Sequence, residues 1–440
     1  MIQKTRYKIK SIFFQYKAPI FYSGGSIIRA FAQIVVVFII AKYISPNDLG
    51  IWASVNLIVT YSMFLQAGLI NGLNLELPHA YGRGDEADAK NMATNVQTFT
   101  LISALIVFII GTSFFLFYPF FDIKFKYGLL GIILFIMLSY YQNYLMTTFR
   151  SKNSFIKLSF IQLIDAFVNL TTLILVVYFS YFGMVLKAVI VVFIYVLFLH
   201  YFRPIKVGFS LNKSTLIKLL KVGLPIFGLY YFESICGTAD KLWLLKYSGL
   251  TDVGLYSFGF YSFTAFSLIS TSIASYIYPR MSYNYGKNKD KTALWNYVTK
   301  VTLILFVIQI PMAIVGYYLI PIVITSLFQN YIQSIPIMKI LLFAGVIKGC
   351  AIGVNALWSM KIWKYMIIYQ VSSAILLVVL PFIGIVLFIN KLEGVSYGFF
   401  MSCVVNLIVG IILTYKATHK TDNTIDFTTK LVETEINISE

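Results

Sequence analysis

Acidic residues are scarce in this chain: 17 Asp and Glu among 440 residues, against 35 Lys and Arg. Charged residues of both signs make up only 12%, roughly half the share of a soluble domain. That is too few to clothe a water-soluble fold. The hydrophobic share is 59% and the aromatic share 17%, more apolar surface than an aqueous interior hides, so lipid must be the solvent for much of it. Cysteine is nearly absent. Cys236, Cys350 and Cys403 lie apart in apolar runs, with no CxxC pair and no Cys/His spacing, so neither a disulfide framework nor a zinc site is indicated. The three histidines, His79, His200 and His419, are far apart and gather no carboxylates, so no metal is expected. No nucleophile–base set stands out, and the chain reads as a non-enzyme without cofactor. No GxxxxGKS or GxxxxGKT loop occurs, which argues against ATP hydrolysis. Gly82-Arg83-Gly84-Asp85 precedes no strand and reads as a tight turn. The net charge of +18 would point to nucleic acid in a soluble protein, but basic residues collect in the cytoplasmic loops of membrane proteins, and no nucleic-acid partner is expected.

Long apolar runs are abundant. A span needs about 20 apolar residues to cross about 30 Å of hydrocarbon. Twelve runs qualify, near 21–41, 50–70, 96–117, 127–149, 158–179, 182–200, 222–245, 253–275, 298–321, 335–357, 362–388 and 394–415. A very short turn at Ser180-Tyr181-Phe182-Gly183 divides the fifth from the sixth. With the N-terminus in the cytoplasm, 25 of the 35 basic residues fall on inner segments and 7 at outer ends, Lys187 among the latter. Arg29, Lys339 and Lys348 remain inside spans. This asymmetry places both termini in the cytoplasm. The basic stretch from Met1 to Lys17 lacks a cleavage signature and reads as a lead-in to the first span.

The two halves repeat without gaps at an offset of 204. Lys42-Tyr43 becomes Lys246-Tyr247. Asp48-Leu49-Gly50-Ile51-Trp52 becomes Asp252-Val253-Gly254-Leu255-Tyr256, and Tyr81-Gly82-Arg83 becomes Tyr285-Gly286-Lys287. Six spans is an even number, so the halves share one orientation. The fold class expected is therefore an all-α membrane protein of two parallel six-helix repeats, with substrate taken between lobes. The expected organisation is an N-terminal six-helix lobe over 1–200, a cytoplasmic linker over 201–221, a C-terminal six-helix lobe over 222–415 and a cytoplasmic tail over 416–440.

An ionised side chain at mid-membrane costs about 2.5–3.5 kcal/mol on insertion scales, so it faces a cavity or a partner. Arg29 lies well inside the first span, and its repeat mate is Glu233. The two either pair across a cleft or are satisfied separately. Asp240, Lys241, Lys348 and Asp165 are the other cavity candidates. Lys339 is nearer the outer surface and reads as snorkelling. Gln33, Asn56, Gln66, Asn169 and Asn355 are candidates to line a hydrophilic path or to join helices. Pro225, Pro311 and Pro381 mark bends within spans.

Several strings, taken in order, resemble a known family. Ile44-Ser45-Pro46-Asn47-Asp48-Leu49-Gly50-Ile51-Trp52 is similar to the first outer loop of polysaccharide repeat-unit exporters. Leu75 to Asp85 (LELPHAYGRGD) is similar to the loop after their second span. Leu219-Leu220-Lys221-Val222-Gly223-Leu224-Pro225 is similar to the start of their seventh span. Ala239-Asp240-Lys241-Leu242, followed by Asp252 to Tyr256, is similar to their seventh-to-eighth junction. The chain thus resembles the Wzx-type O-antigen and capsule flippases, within the multidrug/oligosaccharidyl-lipid/polysaccharide exporter (MOP) superfamily. The resemblance implies a MATE-like two-lobed bundle with a central cleft. It also implies a cargo of undecaprenyl-diphosphate-linked oligosaccharide, carried across the bacterial inner membrane and passed to polysaccharide polymerase machinery. On that reading Arg29, Lys348 and Lys241 attract the diphosphate, with Glu233 and Asp240 also at the substrate cavity. Glu233, Asp240 and Asp165 are the candidates for ion coupling. The alternatives are a drug/cation antiporter of the same fold, a membrane-embedded polysaccharide polymerase or ligase, and a peptidoglycan-precursor flippase.

Overall fold

A computed structural model describes Gly25, Ile28 and Arg29 and residues 31–119, 122–288, 290–360 and 362–419. The basic lead-in before the first span, and the tail beyond His419, lie outside the described residues. Among the described residues there is helix and turn but no strand. In order, the helices are α1 (Phe31–Tyr43), α2 (Pro46–Ser62), α3 (Leu69–Gly82), α4 (Glu86–Phe117), α5 (Ile123–Ser151), α6 (Phe155–Thr171), α7 (Leu173–Tyr201) and α8 (Lys213–Cys236). They continue with α9 (Ala239–Tyr247), α10 (Leu250–Asn288), α11 (Lys291–Leu327), α12 (Ile335–Cys350), α13 (Asn355–Met360), α14 (Trp363–Leu387) and α15 (Lys391–His419).

These helices account for the twelve spans, several of them interrupted. The second is α2 and α3, broken where Ala67 and Gly68 take left-handed backbone (φ 48° and 76°). The fifth and sixth are divided by Ser180, whose φ of 48° interrupts α7 at the expected turn. The seventh is α8 and α9, and the tenth is α12 and α13 joined by a short 3-10 turn at Ala351–Val354. Spans of this kind keep their backbone groups paired within the segment, as a lipid solvent requires. The Arg83-Gly84 stretch is a turn, with Gly84 at φ 77°. The next residue, Asp85, caps α4 by accepting from the Asp88 N–H at 2.9 Å. Asp290 caps α11 the same way through the Ala293 N–H at 2.9 Å. Matching caps therefore open the third span of each repeat.

The chain forms two compact units. The first comprises Met1–Ile235 and Gly249–Ser257, and the second Cys236–Ser248 and Phe258–Glu440. Within the first, Leu69, Leu73, Leu77, Met92, Tyr144, Phe149 and Leu199 are fully buried in one core. Segment 203–212 is strapped along α4. Gln97 Nε2 donates to the Gly208 carbonyl (3.2 Å), the Ser210 N–H donates to Thr98 Oγ1 (3.0 Å), and the Asn212 N–H donates to Asn95 Oδ1. α8 then packs on α3 by close backbone approach. A Cβ on Gly72 would meet the Leu219 carbonyl, and one on Gly223 the Gly68 carbonyl.

The repeat is visible inside this same unit. A Cβ on Gly50 would strike the carbonyl oxygen of Leu250, and one on Gly254 the carbonyl oxygen of Pro46. Gly254 is Gly50 shifted by 204, and Leu250 is Pro46 shifted by 204. Two repeat-related helix starts thus cross symmetrically, and only glycine leaves the backbones room to do so. The second unit has its own core, in which Leu305, Ala313, Leu342, Cys350, Ala356 and Leu357 are fully or nearly fully buried.

Candidate functional site

Four helices of the first unit, together with the helical residue Arg29 just ahead of α1, bring polar side chains into a cavity of about 360 Å³. The residues arrive in i, i+4 pairs, the spacing that puts two side chains on one helix face. Arg29 and Gln33 come from the first span, Ser139 and Asn143 from α5, and Asp165 and Asn169 from α6. Lys187, Val191 and Tyr195 come from α7.

Arg29 Nε donates to Asp165 Oδ2 at 2.6 Å. The guanidinium carbon also lies 4.7 Å from the centre of the Tyr195 ring, a cation–π contact. Lys187 Nζ donates to Asn169 Oδ1 at 2.5 Å. The Arg29 side chain keeps 31% of its surface exposed and that of Asp165 only 2%. The pair therefore has a sealed carboxylate and an accessible guanidinium. With Lys187 also buried, the cavity holds two cations against one carboxylate. An excess positive charge in a low-dielectric site is costly, and an anionic ligand relieves it.

The sequence-expected residues do not all meet here. Arg29 and Asp165 do, and Gln33 and Asn169 line the same space as polar-path candidates. The carboxylate partner observed for Arg29 is Asp165, 136 residues away, rather than a matter of repeat symmetry. Glu233 is half-buried in α8 of the same unit, outside the lining of this cavity. Asp240, Lys241 and Lys348 belong to the second unit. Asp240 is buried in the first turn of α9 and accepts from the Lys241 N–H at 2.7 Å. The Lys241 ammonium lies 5.6 Å from the Phe260 ring centre. Lys348 is half-buried in the last turn of α12. Lys339 sits over the Tyr317 ring at 4.1 Å.

One assignment is corrected. Lys187 was expected at an outer end, but it is 6% exposed and points into the cavity. The reason is local. The turn at Ser180 is exposed, but the face of α7 that follows it, with Tyr181, Met184 and Lys187 at 1%, 3% and 6% exposure, is turned into the protein. The sequence signal that marks Lys187 is its i, i+4, i+8 register with Val191 and Tyr195.

The carboxylate and the amides that line this cavity are not kept at the repeat positions of the second half. At the same offset, Asp165 becomes Tyr369, Asn169 becomes Ser373, Ser139 becomes Phe343 and Asn143 becomes Ile347. The second unit keeps a neutral remnant, in which Asn406 Nδ2 donates to Ser373 Oγ at 3.1 Å.

A multi-pass membrane protein of two six-span repeats, with a part-buried ion pair in the first, is the class this architecture defines, and solved structures share the fold. An inward-facing multidrug-resistance MATE transporter of the MOP superfamily superposes with a TM-score of 0.70 at 13% identity, over 89% of this chain and 94% of its own. The lipid II flippase MurJ, inward closed, gives 0.69 at 15%, over 94% and 96%. A MOP superfamily transporter from Pyrococcus furiosus, described as having a binding pocket of reverse polarity, gives 0.57 at 16%, over 92% and 97%. No curated protein matches the sequence. The polysaccharide biosynthesis protein family matches residues 39–336, more than half of the chain, and the chain belongs to that family.

Proposed function

We propose that the protein is a flippase. It moves undecaprenyl-diphosphate-linked oligosaccharide repeat units across the bacterial inner membrane by alternating access, with both termini cytoplasmic, and so supplies surface-polysaccharide synthesis of the O-antigen or capsule kind. The observation that carries the reading is the cavity of the first unit: a buried lysine and a part-exposed arginine against one carboxylate, open at Arg29. A diphosphate carries the charge such a site lacks, and a guanidinium binds phosphate oxygens in bidentate fashion. Family membership supports the polysaccharide context. A fold shared with a lipid II flippase is compatible with a lipid-linked cargo.

Arg29 is the proposed phosphate contact and Lys187 the second cation of the site. Lys241 and Lys348 of the second unit remain candidate attractors. Asp165 is the proposed ion-coupling group, with Glu233 and Asp240 as the other intramembrane carboxylates. An anion that engages Arg29 competes with Asp165 for one guanidinium, so cargo and coupling ion act on a single pair. A drug/cation antiporter would instead present a net-negative cavity, and the excess cation weighs against it.

Deletion of the gene, followed by immunoblotting of surface polysaccharide, tests the reading. Loss of long-chain surface polymer, with lipid-linked repeat units accumulating at the inner face, is expected. A deletion strain with full surface polymer would sink it. Arg29→Ala should cut export while membrane abundance is retained.

A further inference from the structure

The second unit holds an apolar groove of about 230 Å³ that the transport reading does not use. It forms where α12 ends and the 3-10 turn at Ala351–Val354 begins. There Ala351, Gly353 and Gly410 leave space opposite Trp295, Thr302 and Phe306. Its lips are Leu303 on α11 and Ile411 on α15, 58% and 45% exposed, so the groove opens sideways onto the lipid-facing surface. From Trp295 to Phe306 it follows α11 for eleven residues, about 16 Å at 1.5 Å each, which is one leaflet of a bilayer core of about 30 Å.

The end at Trp295 has the character of a membrane interface. Trp295 packs edge-on against Tyr415 and His419, with ring centres at 5.3 and 5.8 Å. Lys300, one turn from Leu303, and Lys416 at the same end of α15 are both exposed. α11 carries no acidic residue, and Asp290, just ahead of it, is engaged in capping that helix. A further observation lies inside the groove. Thr414, 1% exposed, lines it, and its hydroxyl has no hydrogen-bond partner. A buried hydroxyl left unpaired is costly, so a ligand acceptor is expected beside it.

We propose that this groove holds one acyl chain of an anionic glycerophospholipid. The chain lies along Phe306 and Val354, an ester carbonyl accepts from Thr414, and the phosphate sits at Lys300 and Lys416. A slot one leaflet deep suits an acyl chain, whereas a long polyisoprenoid would overrun it. The basic rim selects an anionic headgroup over a zwitterionic one.

The test uses the full-length protein, reconstituted in vesicles of equal phosphatidylglycerol and phosphatidylcholine and released for native mass spectrometry. Retention of one phosphatidylglycerol per chain is expected, favoured about tenfold over phosphatidylcholine. Lys300→Gln should lower that preference about fivefold, the effect of one lysine at a membrane surface. Thr299→Trp, which fills the groove from a half-buried lining position, should abolish retention. As a measurement on the unaltered groove, phosphatidylglycerol brominated on one acyl chain should quench the Trp295 component of fluorescence, defined by difference from Trp295→Phe. Brominated phosphatidylcholine should quench it less. Equal retention of the two lipids, undiminished retention in Thr299→Trp, equal quenching, or displacement of phosphatidylglycerol by a polyprenyl phosphate would each overturn the proposal.

Discussion

Replacing Arg29 by glutamine and Asp165 by asparagine, singly and together, probes the cavity in a closed thermodynamic cycle. The carboxylate of Asp165 is 2% exposed and lies 2.6 Å from Arg29 Nε. Removing one partner of a buried pair costs about 3–5 kcal/mol, because the survivor is left charged in a low dielectric. Arg29 is nearly one-third exposed, and Lys187 remains beside the carboxylate, so Arg29→Gln should fall below that range, at about 2 kcal/mol. Asp165→Asn leaves two cations in one cavity with no anion, and should cost the full 3–5 kcal/mol or about that. In the double variant, glutamine and asparagine can hydrogen-bond to each other and no charge imbalance is added, so its cost should be about 1–2 kcal/mol. The predicted coupling energy is thus about 3 kcal/mol or more. Reversible unfolding of the purified protein in mixed micelles, titrated with sodium dodecyl sulfate and followed by tryptophan fluorescence, measures it. Additivity of the two single losses to within about 0.5 kcal/mol would mean that the pair does not interact, and the description of the site would be wrong.

Other perturbations separate stability from transport. Lys187→Met removes a buried cation while keeping its length, so stability should hold or rise by about 1 kcal/mol while polymer export falls; a large loss of stability in the same titration would show that Lys187 is structural. Gly50→Ala and Gly254→Ala would each ordinarily favour a helix, yet each should cost about 1–3 kcal/mol and by similar amounts, since each Cβ meets a carbonyl of the repeat-related helix; unchanged melting temperatures in both would refute the symmetric crossing. Ser45→Ala removes the side chain that accepts from the Asp48 N–H at the start of α2, and should cost about 1 kcal/mol in the same assay.

What the sequence made legible was local or periodic. Twelve apolar runs announce themselves because lipid demands unbroken hydrocarbon along each span. The offset of 204 pointed to paired segments, and the Gly50–Gly254 crossing is the form that pairing takes. The turn at Ser180 was visible because two apolar runs share too few residues for any longer loop. Arg29 and Asp165 could each be singled out as expensive where they sit, but not as partners. Repeat logic links Arg29 to Glu233, whereas its contact with Asp165 depends on how the first and fifth spans pack, and no periodicity encodes that. Lys187 was misplaced for a related reason. A lysine seven residues after an exposed turn ordinarily snorkels to the nearest interface; here the face of α7 that carries Tyr181, Met184 and Lys187 is turned inward, which an unbroken apolar run does not encode. The asymmetry of charge between the repeats was present in the sequence throughout, at Tyr369 and Ser373, but acquired meaning only once the cavity was known.

Transbilayer movement of a fluorescent undecaprenyl-diphosphate-linked oligosaccharide in proteoliposomes decides whether the protein is a flippase. The wild-type protein should carry label across the bilayer faster than protein-free vesicles. Lys187→Met and the Arg29→Gln/Asp165→Asn double variant, reconstituted to equal density, should fall to the protein-free rate. Movement no faster than in empty vesicles, or undiminished movement in both variants, would contradict the account.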